Sequence, residues 1–302
     1  MPKGGFRFKP FRRHPDDDRA QDKPEGVDLT ESEIGEQLDG EKVSALFLGS
    51  FELDLIKRAL DRFGITQRLA EIGYTDLELH FRPHGPFEHF LTIRDGSDPD
   101  KPQIGEVVLK ESRSIPAEQH LPELHLPSLS LLSIEWILMQ HIHGQFTAER
   151  RRLPGQNHPG LGIGTQVVEL LRWVAKIMRK DGLMNIPEYF HNAIFYAKWF
   201  FFLDPKVQGA MEAVYEQLTA QGRDICDISF AAYFDCLIDE KTGAPFAWTP
   251  HEQILPISET LIDYFKHPTY ARLVDERRES LSITLNAHKL ATHMQTAEQI
   301  EW

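Results

Sequence analysis

The 302-residue chain has only two cysteines, Cys226 and Cys236. That excludes a disulfide framework, and with no signal peptide in view it makes the reducing cytoplasm the expected compartment. Long apolar runs are missing too. The greasiest segment, Ala197-Lys-Trp-Phe-Phe-Phe-Leu203, is far too short to span a bilayer, so no membrane partner is expected. Positive charge is scarce: 33 Lys and Arg stand against 46 Asp and Glu, a net charge of −13. A general nucleic-acid binder needs a broad basic face, so no nucleic-acid partner is expected. An acidic surface serves solubility and suits cationic partners. Metal-ligand spacing is absent as well. His120, His125, His141, His143 and His158 are accompanied neither by a helical His-x-x-x-His pair nor by paired cysteines, so no metal is expected.

What is there divides into three stretches. Residues 1–42 read as a disordered arm, in which Lys3, Arg7, Lys9, Arg12 and Arg13 precede Asp16-Asp17-Asp18. Residues 43–205 read as the main domain, and 206–302 as an extension packed on it. Helices are expected over Leu46–Phe63 and Ile65–Ile72, ending at Gly64 and Gly73. Strands are expected over Leu77–Phe81, His89–Ile93, Ile104–Lys110 and Leu129–Met139. The proline-rich Pro116–Pro127 segment reads as a covering loop.

The most informative stretch is Leu153-Pro-Gly-Gln-Asn-His-Pro-Gly-Leu-Gly-Ile-Gly164, which runs straight into a helix over Thr165–Arg179. Val167, Leu170, Leu171, Val174, Ile177 and Met178 recur at helical spacing, so this helix packs against a sheet. Gly160, Gly162 and Gly164 permit close backbone approach and positive φ. The helix start then offers unpaired N–H groups and the positive end of its dipole, which suits a phosphate. Gly182 is expected to stop the helix, followed by a short buried strand over Leu183–Ile186 and a helix around His191–Trp199. Further on, Gln208–Gln221 reads as a helix and Ile225–Ile238 as one long strand or two. Ser258 and Thr269 are expected to cap the last helices. The sum is a mixed α/β fold.

Two segments carry a family resemblance. Pro159-Gly-Leu-Gly-Ile-Gly-Thr-Gln-Val-Val-Glu-Leu-Leu171 resembles the pyrophosphate loop of the GNAT acyl-CoA N-acyltransferase superfamily. Asn192-Ala-Ile-Phe-Tyr-Ala-Lys-Trp-Phe-Phe201 is similar to that family's later Asn, Ala, Tyr segment. The likeness covers roughly Leu46 to Leu203. Pro159, or Asn157 in the other register, stands where the family has Arg or Gln. Tyr189 occupies the position expected for Asn, and a long insert separates strand from loop. The resemblance implies a GNAT-like mixed, mostly antiparallel sheet with flanking helices and a C-terminal extension. It also implies acetyl-CoA or another acyl-CoA as co-substrate, held by Gly160, Leu161, Gly162, Ile163, Gly164, Thr165, Asn192 and Arg152, the last drawn from the Arg150-Arg151-Arg152 run.

Glu135 is the one charged residue in the otherwise almost wholly apolar Leu131–Met139, and half-burial of such a carboxylate would favour its proton-accepting role; Glu188 is the second choice. Tyr196 is the expected acid for the leaving thiolate. The implied activity is acyl transfer to a small-molecule or peptide amine. Two rivals remain open: a catalytically inactive acyl-CoA-sensing or protein-interaction module of the same fold, and an interaction protein that binds no nucleotide. The Tyr264–Tyr270 region is expected to cover the acceptor side or to form a homodimer surface.

Overall fold

Alternating apolar residues build the first sheet strands where the pattern expects them. In the computed structural model, which describes residues 46–84, 87–114, 120–121 and 123–297, these are β1 (Leu77–His84), β2 (Glu88–Asp95), β3 (Gln103–Ser114) and β4 (Leu129–Met139). They pair antiparallel in sequence order. The expected arm at 1–42 lies outside the described residues, as does part of the proline-rich loop.

The sheet continues with β5 (Gly182–Asn185), β9 (Gln253–Pro256) and β6 (Phe201–Phe202), giving the seven-stranded order β1-β2-β3-β4-β5-β9-β6. Only β4 and β5 are parallel; the rest of the ladder is antiparallel. This is the mixed, mostly antiparallel sheet that the sequence implied. The C-terminal part of the chain supplies β9 from within that sheet. A separate small sheet, β10-β7-β8, joins β10 (Ile283–Leu285), β7 (Leu237–Asp239) and β8 (Ala244–Pro245).

Helices α1 (Leu53–Arg62), α2 (Ile65–Glu71) and α3 (Gly164–Ile177) share one apolar cluster with Leu132 and Ile134 of β4 and Leu183 of β5. Leu129 and Leu131, at alternate positions of β4, point instead into a cluster with α7 (Glu259–Lys266) and α8 (Pro268–Ser280). A third cluster gathers α4 (Phe190–Tyr196), α5 (Pro205–Ala220), α6 (Ile225–Tyr233) and α9 (Ala287–Ala297).

Several boundaries differ from expectation for identifiable reasons. Helix α1 starts at Leu53 rather than Leu46, because Phe47 and Phe51 bridge to each other across a turn with Leu48 at φ 52° and Gly49 at φ 65°. The expected strand over Ile225–Ile238 is mostly α6. Asp224 caps it by accepting from the Asp227 amide at 2.8 Å, and six of its residues are buried, so hydrophobicity all round disguised the helical period. His267, not Thr269, caps α8, its Nδ1 accepting from the Thr269 amide at 3.3 Å. Ser258 caps α7 as expected. Helix α3 stops before Gly182, at Arg179 in the left-handed region with φ 53°. Gly182 serves a different need: a Cβ there would lie 2.7 Å from the Leu255 carbonyl oxygen. It is glycine so that β9 can approach β5.

Candidate functional site

Three local features converge where β4 ends. The first is a β-bulge. Val108 pairs with Trp136 and Leu109 with Ile134, so Glu135 is the extra residue, without a partner on β3. Such insertions bend a strand and re-aim its side chains. The second is a split. β5 accompanies β4 only from Leu131–Gly182 to Ile134–Asn185, whereas β4 runs on to Met139. Pro187 helps to end β5, since it has no N–H to offer a ladder. From Glu135 to Met139 the β5-facing edge of β4 is therefore open, a wedge whose closed end is the Ile134–Asn185 pair.

The third feature closes the far end. Gln140 bridges to Gly160, and the His141 amide donates to the Pro159 carbonyl at 2.6 Å. The glycine loop is thus stitched to the end of β4 and leads directly into α3. The first helical bond of α3 runs from the Val167 amide to the Ile163 carbonyl, 3.0 Å. The Gly164, Thr165 and Gln166 amides precede it and have no helical acceptor. No side chain caps this helix, and its first turn carries no acid. Gly162 sits at φ 75°, where glycine is needed. Gly164 has no such requirement, and a Cβ there would meet nothing within 4 Å. The open space beside an uncapped helix start is what an anion requires.

The sequence-expected residues fall into distinct places. Leu161 and Ile163 are buried in the cluster shared with α1 and α3, so only their backbone faces outward chemistry. Thr165 is exposed and Asn192 half-buried, the latter in the first turn of α4. Arg152 departs from expectation: its Nε donates to the Gln156 carbonyl at 2.6 Å and its Nη2 to Asn157 Oδ1 at 3.2 Å, bracing its own turn. Arg151 pairs with Asp224 at 2.8 Å and Asp227 at 3.0 Å. The cation that reaches the glycine loop is Arg150, which donates to the Gly160 carbonyl. Nothing in the sequence distinguished it from its two neighbours.

Tyr196 ends α4 half-buried, its ring 5.5 Å from that of Phe200, against the cluster that holds Leu161, Ile163 and Leu183. Burial pushes its phenol up to about 12, which keeps the proton on the oxygen. Glu135, at the bulge, is exposed, so the half-burial that would favour its proton-accepting role is absent; Glu188, in the link from β5 to α4, is exposed too. Glu135 thus lies on β4 at the start of the wedge and Glu188 three residues past the end of β5. Exposed apolar side chains stand on the same segments: Trp136 beside Glu135, Ile186 just past β5 and Phe195 in α4.

Among the described residues, Asp95, Asp98 and His143 bring one potential metal-ligand atom each within 4.8 Å of one another. Asp95 already accepts from the Ser97 amide and hydroxyl and lies 3.6 Å from His143 Nε2, so its carboxylate is accounted for by the turn after β2.

Fold and site together define a class: a mixed α/β protein whose mostly antiparallel sheet splits beside a glycine loop and a bare helix start. No family model matches the chain, and no curated protein does. Among solved structures the chain is similar to one described as "AtaT complexed with acetyl-methionyl-tRNAfMet", at 15% identity, over 48% of this chain and 74% of that one, with a TM-score of 0.25. At that score the match adds nothing to what the topology itself shows. No helix among the described residues is long and apolar enough to cross a membrane.

Proposed function

We propose that this chain is an acyl-CoA-dependent N-acyltransferase of GNAT type. The observation that carries the reading is the wedge itself: an open β4 edge that leads from a bulge to an uncapped helix start. The amides of Gly164, Thr165 and Gln166 suit the CoA diphosphate, with Arg150 as the cation beside the loop. The free N–H and C=O groups of Glu135–Met139 suit the amides of the pantetheine arm, which an exposed strand edge can pair as it would another strand. That orientation brings the thioester to the closed end of the wedge, between Glu135 and Tyr196.

The chemistry then divides among residues of this chain. Glu135 or Glu188, directly or through water, takes a proton from the acceptor ammonium. The freed amine nitrogen forms the new C–N bond at the thioester carbonyl, and backbone N–H groups of the open β4 edge stabilise the oxyanion. As the C–S bond breaks, Tyr196 gives its proton to the leaving sulfur, and the second proton of the attacking nitrogen passes to the resulting phenolate, directly or through water, leaving a neutral amide, free CoA and a reset Tyr196. Holding both substrates along one strand supplies much of the rate through proximity. One observation favours a second reading, an acyl-CoA sensor without turnover: both carboxylates are exposed.

A thermal-shift panel with CoA, acetyl-CoA, longer acyl-CoAs, ATP and NAD tests the reading, since a ligand that binds only the native state raises Tm by mass action. The expected result is a shift confined to CoA species and lost in Gly164→Val, at a position where an added Cβ meets nothing within 4 Å. No shift with CoA species, or one that survives Gly164→Val, overturns it. A shift with no acyl transfer to any amine acceptor leaves the sensor.

A further inference from the structure

The wedge's closed end is lined by polar groups that the fold does not use. Asn185, the last β5 residue paired with β4, is buried, yet neither its Nδ2 nor its Oδ1 finds a hydrogen-bond partner among the described residues. Its neighbour across the ladder is Gln253 of β9, fully buried. Cross-strand partners present their side chains on the same face. The Gln253 Nε2 donates to the Ala193 carbonyl of α4 at 3.2 Å, whereas its Oε1 is unpartnered. Two residues earlier on that helix, His191 is 2% exposed, its ring stacked on Tyr189 at 5.5 Å, and its Nδ1 too is unpartnered. Buried polar atoms are satisfied in the great majority of cases, and each orphan carries a desolvation penalty. Three of these atoms belong to one ladder pair and the fourth to the helix that Gln253 bonds, beside an open strand edge, which is where a group from outside could satisfy them.

We propose that Asn185, His191 and Gln253 form an uncharged hydrogen-bonding recess at the closed end of the β4–β5 wedge, which takes a neutral amide or hydroxyl group of the bound ligand. The recess contains no formal charge, and burial holds the His191 ring neutral by pushing its pKa down to about 4. An ammonium or carboxylate placed there would lack a counter-charge. An amide offers both a donor and an acceptor, matching Asn185, and a hydroxyl does the same. Two sources have this chemistry, the pantetheine arm and the acceptor molecule. The first rests on the acyl-CoA reading; the second does not.

Asn185→Leu and His191→Phe remove the orphaned groups at nearly constant volume. Each is melted alone and with pantetheine, which has amides but no phosphate, with CoA, and with leucinamide against isoamylamine, which differ by the amide. Both variants are expected to melt at or above the wild-type temperature, since an unpaired buried polar group is removed. Both are expected to bind the amide-bearing probe at least about tenfold more weakly. Loss of the pantetheine and CoA shifts assigns the recess to the CoA arm; loss of the preference for leucinamide over isoamylamine assigns it to the acceptor. The proposal is overturned if both variants melt well below wild type, if they retain every wild-type shift, or if the wild type responds to none of the amide probes. A wild type that prefers leucinamide yet ignores CoA sinks the acyl-CoA reading alone and leaves the recess standing.

Discussion

Gly182 and Gly164 flank the α3–β5 crossover, and the structure assigns them opposite consequences for the same substitution. At Gly182 an added Cβ would sit 2.7 Å from the Leu255 carbonyl oxygen and 3.1 Å from both Ile254 Cγ2 and Leu261 Cδ1. The first contact is backbone within the β5–β9 ladder, so it cannot turn aside as a side chain would. Gly182→Ala must push β9 away from β5, an overpacking cost of about 1–3 kcal/mol. For a chain of this size that lowers Tm by roughly 2–10 °C. At Gly164 a Cβ meets nothing within 4 Å and φ is outside the left-handed region. Gly164→Ala is therefore expected to be neutral, or stabilising by up to about 1 kcal/mol, because alanine loses less entropy on entering a helix. The functional order reverses. Gly164→Ala, and more so Gly164→Val, fills the space beside the bare amides and should weaken CoA binding about tenfold or more, while Gly182→Ala folded at low temperature should bind nearly as wild type. Urea melts with CoA titrations read both quantities on the same samples. A Gly182→Ala protein as stable as wild type, or a destabilised Gly164→Ala, would refute the assignment of one glycine to packing and the other to ligand.

Further expectations follow from buried titratable groups. Tyr196→Phe should keep CoA binding and Tm while lowering kcat about a hundredfold. Because burial pushes the Tyr196 phenol up to about 12, the wild-type rate should show no alkaline loss from this group below about pH 10, which a kcat profile from pH 7 to 10 measures. His191, whose pKa falls from 6.5 to about 4 on burial, contributes no penalty above pH 6.5. As pH falls from 6.5 to 4 the unfolded state takes up the proton first, so up to about 3 kcal/mol of stability is lost in that window. His191→Phe should flatten that part of the urea-derived ΔG against pH; an unchanged slope places the titration elsewhere. Glu212 is 8% exposed, lies 3.3 Å from Arg278 and has its pKa raised chiefly by burial. Arg278→Ala should cost about 1–3 kcal/mol at pH 7 by leaving a buried carboxylate unpaired. The cost should shrink toward pH 4 as that carboxyl takes a proton, and denaturation at both pH values checks it.

The legible parts of this protein are those written within one window of sequence. Leu171 and Val174 are buried on α3 as their helical spacing implies, although the fully buried face also takes in Val168 and Ala175, which that pattern passed over, and Gly160, Gly162 and Gly164 mark the loop by composition alone. The strands β1 to β4 read correctly for the same reason. What could not be read is register. Glu135 looks like any carboxylate in an apolar run until the partner strand skips it, and that skip is fixed by Val108 and Leu109, more than twenty residues away. Asn185 falls in Leu-Met-Asn-Ile, which reads as a short buried strand, but its pairing with Gln253 depends on β9, which lies beyond α6. Arg150 and Arg152 are equivalent by composition, and only the fold of the insert sends one to Gly160 and the other to its own turn.

The origin of the wedge shows why the C-terminal part of the chain belongs to the site. β4 continues past the bulge at Glu135 with β3 paired beside it as far as Gly105–Met139. β5 has no such support from β4 beyond Asn185, so left to itself it would be a four-residue edge strand, too short to hold a fixed direction. β9 provides that direction by pairing with every residue of β5, from Gly182–Pro256 to Asn185–Gln253, and by pairing Ile254 and Gln253 with Phe201 and Phe202 of β6. It ties the strand before α4 to the strand after it, so α4 is held at both ends. The positions of Tyr196, at the end of that helix, and of Asn192, at its start, are therefore set by a segment about sixty residues downstream. The glycine loop alone would supply the proposed anion site; the return of β9 to the middle of the sheet gives that site a second wall.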